Sequence, residues 1–252
     1  MDLGLSGKRA IVTGGSRGIG KVIARQLAEE GVDVVIAARN REPLRAAAAE
    51  ISGATGRRVI AAVAHTGDKE SVDTLVATAV SELGGIDILV NNAAVPGGVS
   101  AATRLDQLVD EELLEDIDIK VVGYLRTARA AAPHMLASGW GRIINIGGLA
   151  AQRTGRPAAT LRNVGVTALT KTLADELGPK GINVVAVHPG ATRTERTDAE
   201  AETKLAASSS LGRIVDAKEV AWLVAFLASP RSVAVNGEAI AAGGGSPGWI
   251  RY

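Results

Sequence analysis

No cysteine occurs in the 252 residues, which removes disulfides, thiol catalysis and thiolate metal sites together. Aromatic residues make up only 2% of the chain. Its core must therefore be built from alanine, valine, isoleucine and leucine, which suit helices stacked closely on a parallel sheet. There is no basic run and the net charge is +1, so electrostatic binding to nucleic acid or to an anionic membrane has little to stand on. No stretch reaches 18 uninterrupted apolar residues, and the opening MDLGLSGKRAIVTGG has no long apolar segment before a cleavage-like site. With 46% hydrophobic and 22% charged residues, these absences predict a globular cytoplasmic protein with no metal site and no nucleic-acid or membrane partner.

What is present is alternation. KRAIVTGG reads as a strand that breaks at glycine, and GKVIARQLAEEG follows with helical periodicity and a stop at Gly31. VDVVIAARN, RRVIAAVA and IDILVNNAA read as further strands separated by helical stretches, with Pro43 early in its helix, where proline is tolerated. A long helical stretch, interrupted, is predicted from Asp106 to Ser138, then a strand at GRIINIGG, a helix at PAATLRNVGVTALTKTLADELG and strands at INVVAVHPG and GEAIAAGGG. Strand and helix in strict turn predict right-handed crossovers and a doubly wound parallel sheet. No linker or repeat interrupts the pattern, so residues 1–252 are read as one α/β domain. The polar run TRTERTDAEAETKLAASSS is the exception and reads as a mobile excursion beside a site.

In TGGSRGIGKVIA, Gly14, Gly18 and Gly20 fall between the first strand and its helix. Glycines let the backbone turn tightly and approach phosphates, and a helix N-terminus offers unpaired N–H groups and a positive dipole end. Alone, the cluster is only a tight turn; in the first β–α connection of an alternating pattern it points to a nucleotide. TGGSRGIG at Thr13–Gly20, NNAA at Asn91–Ala94 and PGATRT at Pro189–Thr194 together resemble the short-chain dehydrogenase/reductase family, in the right order and over nearly the whole chain. The resemblance implies a single Rossmann domain of about seven strands with a nicotinamide cofactor across its C-terminal edge. It assigns that cofactor Gly14, Ser16, Arg17, Gly18, Ile19, Gly20 and Ala93, and has Asn91 steady the central strand beside the adenosine ribose. Pro189, Gly190 and Thr194 fall to the nicotinamide end, Thr194 holding the carboxamide.

The form of the cofactor follows from charge. An acidic residue at the end of the second strand accepts bonds from a ribose 2′-OH and repels a 2′-phosphate. Here that position is Ala38, Arg39 follows it, and Arg17 lies in the glycine loop. Two guanidiniums and no carboxylate favour NADP(H) over NAD(H). The plainer reading is that Arg39 and Arg41 only solvate the next helix. Where the family usually has an acid near the adenine, this chain has His65.

Catalysis is where the chain departs from the resemblance, which implies a Tyr-x-x-x-Lys pair on one helix face, a serine after the fifth strand and an asparagine on the preceding long helix. Ungapped counting puts Ala159 and Asn163 at the pair, Gly147 and Gly148 at the usual Ser-Ser and Lys120 at the asparagine. No sliding of the register repairs this, because the only tyrosines are Tyr124 and Tyr252 and no serine lies between Ser138 and Ser208. Two of the changes are reciprocal: the lysine site carries Asn163 and the asparagine site carries Lys120. Lys120 either delivers its ammonium from the opposite helix or simply pairs with Asp116 or Asp118 on its own. Other proton-donor candidates are Thr160, which is otherwise a first-turn helix residue; His188, which is otherwise a packed imidazole; and Tyr124, which is otherwise core.

The leading expectation is an NADP(H)-dependent oxidoreductase acting on a small carbonyl, alcohol or enone substrate through a non-standard proton path. The alternatives are a nucleotide-binding sensor or structural subunit without turnover, and a lyase or dehalogenase using the emptied pocket. Small and apolar residues at helical spacing in YLRTARAAAPHML and VGVTALTKTLADEL fit a homodimer or homotetramer through these two helices. The closing GGGSPGWIRY reads as a tail that crosses to a neighbour, carrying Trp249 or Tyr252.

Overall fold

β-Branched runs form the strands, and those at the centre of the sheet are buried on both faces. β1 (Arg9–Thr13) and β2 (Asp33–Ala38) pair in parallel, and β3 (Val59–Val63) extends the sheet beyond β2. On the other side of β1 lie β4 (Ile88–Asn91), β5 (Gly141–Ile146) and β6 (Ile182–Pro189), every residue of which is buried. Two short strands, β7 (Thr192–Arg193) and β8 (Val215–Asp216), pair with each other apart from this sheet, and β9 (Ala239–Ala242) closes its far edge against β6. The computed structural model describes residues 1–248. Within them the strand order is β3-β2-β1-β4-β5-β6-β9, all parallel. Trp249 and Tyr252, expected to reach a partner, lie outside the described residues.

Alternation along each strand divides the core in two. Val12, Val34, Ile36 and Val90 face α1 (Gly18–Glu29), α2 (Arg41–Thr55) and α8 (Ala217–Ala228), meeting Ile23, Leu27, Leu44, Ile51 and Val224. Their neighbours Ile11, Val35 and Leu89 face the opposite side, where α3 (Lys69–Leu83), α5 (Gly123–Ser138) and α6 (Pro157–Leu177) bring Leu75, Ala131, Met135 and Leu173. The period of two along a strand and the wide apolar stripe of each helix therefore agree on one doubly wound layer structure. The order reverses between β1 and β4, and that switch point leaves a crevice at the strands' carboxyl ends.

One predicted segment is interrupted as expected, and another differs from expectation. The long helical stretch starts as an isolated 3₁₀ turn at Leu105–Gln107, becomes α4 (Asp110–Ile117), then widens into a π-turn over Asp118–Val122 before α5. Such wide turns re-aim side chains and are frequent at functional sites. The polar run after Thr192 is not irregular throughout: it contains β7 and α7 (Ala199–Ala206), whose N-cap Asp198 accepts a hydrogen bond from Ala201 N at 2.7 Å. A capping aspartate satisfies a first-turn donor and starts a helix that hydrophobic periodicity alone does not announce.

Candidate active site

The loop between β1 and α1 is fixed to the end of β4 by side chains of both. Thr13 Oγ1 accepts from Asn92 N at 2.9 Å and Ala93 N at 3.0 Å, while Asn92 Nδ2 donates to Thr13 O at 3.0 Å and Gly14 O at 3.2 Å. These bonds bring the two backbones so close that a Cβ on Gly14, whose φ is +68°, would stand 2.7 Å from Asn92 Nδ2. A Cβ on Gly20 would collide with Gly14 O and the same amide. Only glycine fits either place. Arg17, the N-cap of α1, makes no side-chain cap bond, and Gly18 N donates to both carboxylate oxygens of Glu195, at 2.9 and 3.2 Å. A carboxylate thus stands in for an anion at the positive end of α1, as a phosphate-accepting terminus predicts.

A cleft of about 440 Å³ runs from this cradle across the switch point. Gly14, Ser16, Arg17, Gly18, Ile19 and Gly20 line one end, with Ala38 and Arg39 at the tip of β2. Arg17 and Arg39 are exposed and make no ion pair among the described residues. Ala93 lines the middle, and Pro189, Gly190 and Thr194 line the other side. A glycine cradle, an anion-accepting helix end and two free guanidiniums are a donor set that fits a phosphorylated dinucleotide. Asn91, expected to steady the central strand beside the ribose, is fully buried and does not itself line the cleft: its amide donates to Asn145 Oδ1 at 2.9 Å and its side-chain carbonyl oxygen accepts from Thr127 Oγ1 at 2.6 Å. It ties β4 to β5 and α5, and the next residue, Asn92, takes the place at the cleft.

On the opposite wall, the π-turn presents Lys120. The side chain is buried, and Nζ donates to Asn163 Oδ1 at 2.9 Å and to Gly147 O at 3.1 Å. Asn163 is held in turn, its Nδ2 donating to Ala159 O one turn back on α6 at 2.7 Å. Lys120 does not pair with the carboxylates on its own helix. Asp116 bonds Arg162 Nη1 at 2.8 Å and accepts from Val99 N at 3.0 Å, and Asp118 bonds Arg126 at 2.7 Å. Burial, assisted by the nearby Arg162 guanidinium and opposed by Asp116, pulls the Lys120 ammonium down from its ordinary 10.5 to about 7.

The other proton-donor candidates are not brought to the cleft. Thr160 Oγ1 donates to Arg153 O at 2.8 Å, as a first-turn helix residue. His188 is fully buried: Nδ1 accepts from Gly148 N at 2.9 Å and Nε2 meets Thr167 Oγ1 at 2.9 Å, so the ring is a packed, bonded imidazole. Tyr124 lies in the core with Val166 and Ala186, its hydroxyl donating to Ile146 O at 2.9 Å, and burial pushes its phenol far above the usual range.

The comparisons with known proteins agree with this layout. A short chain dehydrogenase family profile matches residues 8–205. The chain belongs to the short-chain dehydrogenase family. This short-chain dehydrogenase is 37% identical over 250 residues to the short-chain reductase protein NovJ of Streptomyces niveus, covering 94% of this chain and 93% of NovJ. It superimposes with a TM-score of 0.91 on L-sorbose reductase from Gluconobacter frateurii, solved with NADPH and L-sorbose, at 30% identity over 99% of this chain and 100% of that one. A short-chain dehydrogenase from Burkholderia cenocepacia, solved with NADP, gives 0.86 at 36% identity, covering 96% and 98%. The fold and the oxidoreductase class are thereby those of the family.

Three features of this short-chain dehydrogenase escape sequence reasoning. Asn92 was eclipsed by its neighbour in the motif, because which of two adjacent residues leaves a strand toward the cleft depends on register. Arg162 and Asp116 form a buried pair 46 residues apart that holds the loop after β4, with Arg162 Nη1 also donating to Val95 O at 3.3 Å. Glu195 carries no motif signal at all. No helix among the described residues is long and apolar enough to cross a membrane, and no metal-holding cluster occurs among them.

Proposed function

We propose that this short-chain dehydrogenase is an NADP(H)-dependent oxidoreductase of small carbonyl, alcohol or enone substrates, a divergent member that works without the family's serine, tyrosine and lysine. The observation that carries the reading is Lys120: a buried amine on the cleft wall, anchored by Asn163, with its ammonium near neutrality. Gly14, Ser16, Gly18, Ile19 and Gly20 would hold the diphosphate, Arg17 and Arg39 the 2′-phosphate, and Pro189, Gly190 and Thr194 the nicotinamide end. The cofactor, when bound, supplies or accepts the hydride.

The chain's own residues then manage the proton. In the reducing direction Lys120 Nζ gives a proton to the substrate oxygen, is left neutral, and regains a proton from solvent. Asn163 Oδ1 and Gly147 O aim the amine and leave one N–H for this transfer. A donor whose pKa sits near the working pH is the efficient kind, and such a donor is typically worth about 10²–10⁴ in rate. Positioning the reacting atoms contributes on its own account. NADP(H) is favoured over NAD(H) by the exposed arginines beside Ala38, and the NADPH- and NADP-bound neighbours are consistent with it. Exposed Leu161 and Val164 on α6 support assembly into a homodimer or homotetramer through α5 and α6.

The runner-up, a nucleotide-binding subunit without turnover, is favoured by Ala159, Gly147 and Gly148, which leave no hydroxyl at the positions counted for the family's tyrosine and its Ser-Ser. Fluorescence of bound NADPH separates the two. The enzyme reading expects binding followed by decay on at least one member of a panel of ketones, aldehydes and enones. Tight binding with no decay on any of them selects the subunit.

A further inference from the structure

Glu195 and Arg196 sit over the start of α1 with opposite charges. The first-turn N–H of Gly18 has no partner within its own helix, as at any helix N-terminus. Both oxygens of Glu195 converge on it from 177 residues further along the chain. Arg196 stands over the same glycine: a Cβ on Gly18 would lie 3.5 Å from its Nη2. The Arg196 side chain makes no ion pair among the described residues, and Arg196 lines the cleft together with Thr194.

We propose that Thr194–Arg196 is a lid over the diphosphate position, held shut by Glu195 and held down on bound cofactor by Arg196. The inference rests on reading the cleft as a dinucleotide site. A diphosphate and a carboxylate cannot share one N–H and one dipole end, so an incoming cofactor has to displace Glu195. The same phosphate charge attracts the neighbouring guanidinium, so the residue beside the displaced one becomes a cofactor contact. Thr194, which the family resemblance gives the nicotinamide carboxamide, moves with them. Release at the phosphates and docking at the nicotinamide are then one movement of three consecutive residues.

Adjacent residues with opposite effects on the same equilibrium make the test sharp. NADPH is titrated by fluorescence into the full-length protein, its Glu195→Ala variant and its Arg196→Ala variant, with folding of each checked by circular dichroism. Removing the exposed carboxylate tightens NADPH binding about fivefold, the scale of one solvent-screened charged hydrogen bond, and removing the guanidinium weakens it by at least as much. Inorganic pyrophosphate, as a second probe, raises the melting temperature of Glu195→Ala more than that of the wild type. Equal or weaker NADPH binding by Glu195→Ala overturns the latch, and unchanged binding by Arg196→Ala overturns its closing half. If the wild type fails to bind NADPH at millimolar concentration but Glu195→Ala binds it, the lid is upheld in its strongest form. If neither binds, the proposed function falls and takes the lid with it.

Discussion

Lys120 and Asn163 meet at 2.9 Å, ammonium against amide oxygen, from the π-turn before α5 on one side and from α6 on the other. Each occupies the position at which the family resemblance places the other's residue type.

Lys120→Met keeps the shape of the buried stem and removes the amine. We expect NADPH affinity to hold and kcat to fall by about 10²–10⁴ on any substrate that turns over. For the wild type, carbonyl reduction declines as pH rises through about 7, where the donor loses its proton, and alcohol oxidation climbs over the same interval. Steady-state rates across pH 5.5–9 check both; unchanged turnover in Lys120→Met removes the amine from the proton path.

The same group makes stability depend on pH. Below about pH 7 Lys120 is protonated whether the chain is folded or not; between about 7 and 10.5 only the unfolded chain holds the proton. The unfolded state binds more protons in that window, so stability rises with pH through it. Urea midpoints of wild type minus Lys120→Met, taken at pH 7 and pH 9.5, report the slope; a falling difference contradicts the burial-driven shift.

Arg39→Ala removes a cation from the tip of β2. NADP(H) binding weakens by about tenfold, the scale of one charge-assisted contact, and NAD(H) binding changes little. Calorimetric titration of both nucleotides decides, since equal losses mean that Arg39 reads no 2′-phosphate.

Gly147 and Gly148 differ sharply in what a side chain would meet. A Cβ on Gly147 runs into the His188 ring, whereas one on Gly148 comes no nearer than 3.4 Å to Asn163 Oδ1. Gly147→Ala therefore costs about 1–3 kcal/mol by overpacking, and Gly148→Ala is close to neutral. Chemical denaturation of the two variants side by side tests the contrast, and equal losses would show that the imidazole yields.

The fold was legible because its signals are local and redundant. β-Branched runs such as AIVT and DVVIA mark buried strands, glycines end them, and the first glycine loop sits where a helix must begin. The reciprocal Lys120 and Asn163 could be read from the chain because a register count needs no coordinates. Their contact could not, since Lys120 sits in a π-turn that helical periodicity does not announce and Asn163 lies on a different helix. His188 illustrates the opposite limit. A histidine at a strand end looks the same in sequence whether it titrates in a cleft or packs between Gly148 and Thr167. The Asp116–Arg162 pair joins α4 to α6, and nothing short of the fold brings those residues together.

The bonds joining Thr13 and Asn92 rivet the two halves of the sheet at the very crevice where they diverge. A floor fastened in this way resists splaying to admit a guest. On the proposed lid, traffic in and out is governed from above, by the stretch running from the end of β7 into α7, and changes there should alter rates of entry and exit while leaving the floor's own architecture untouched.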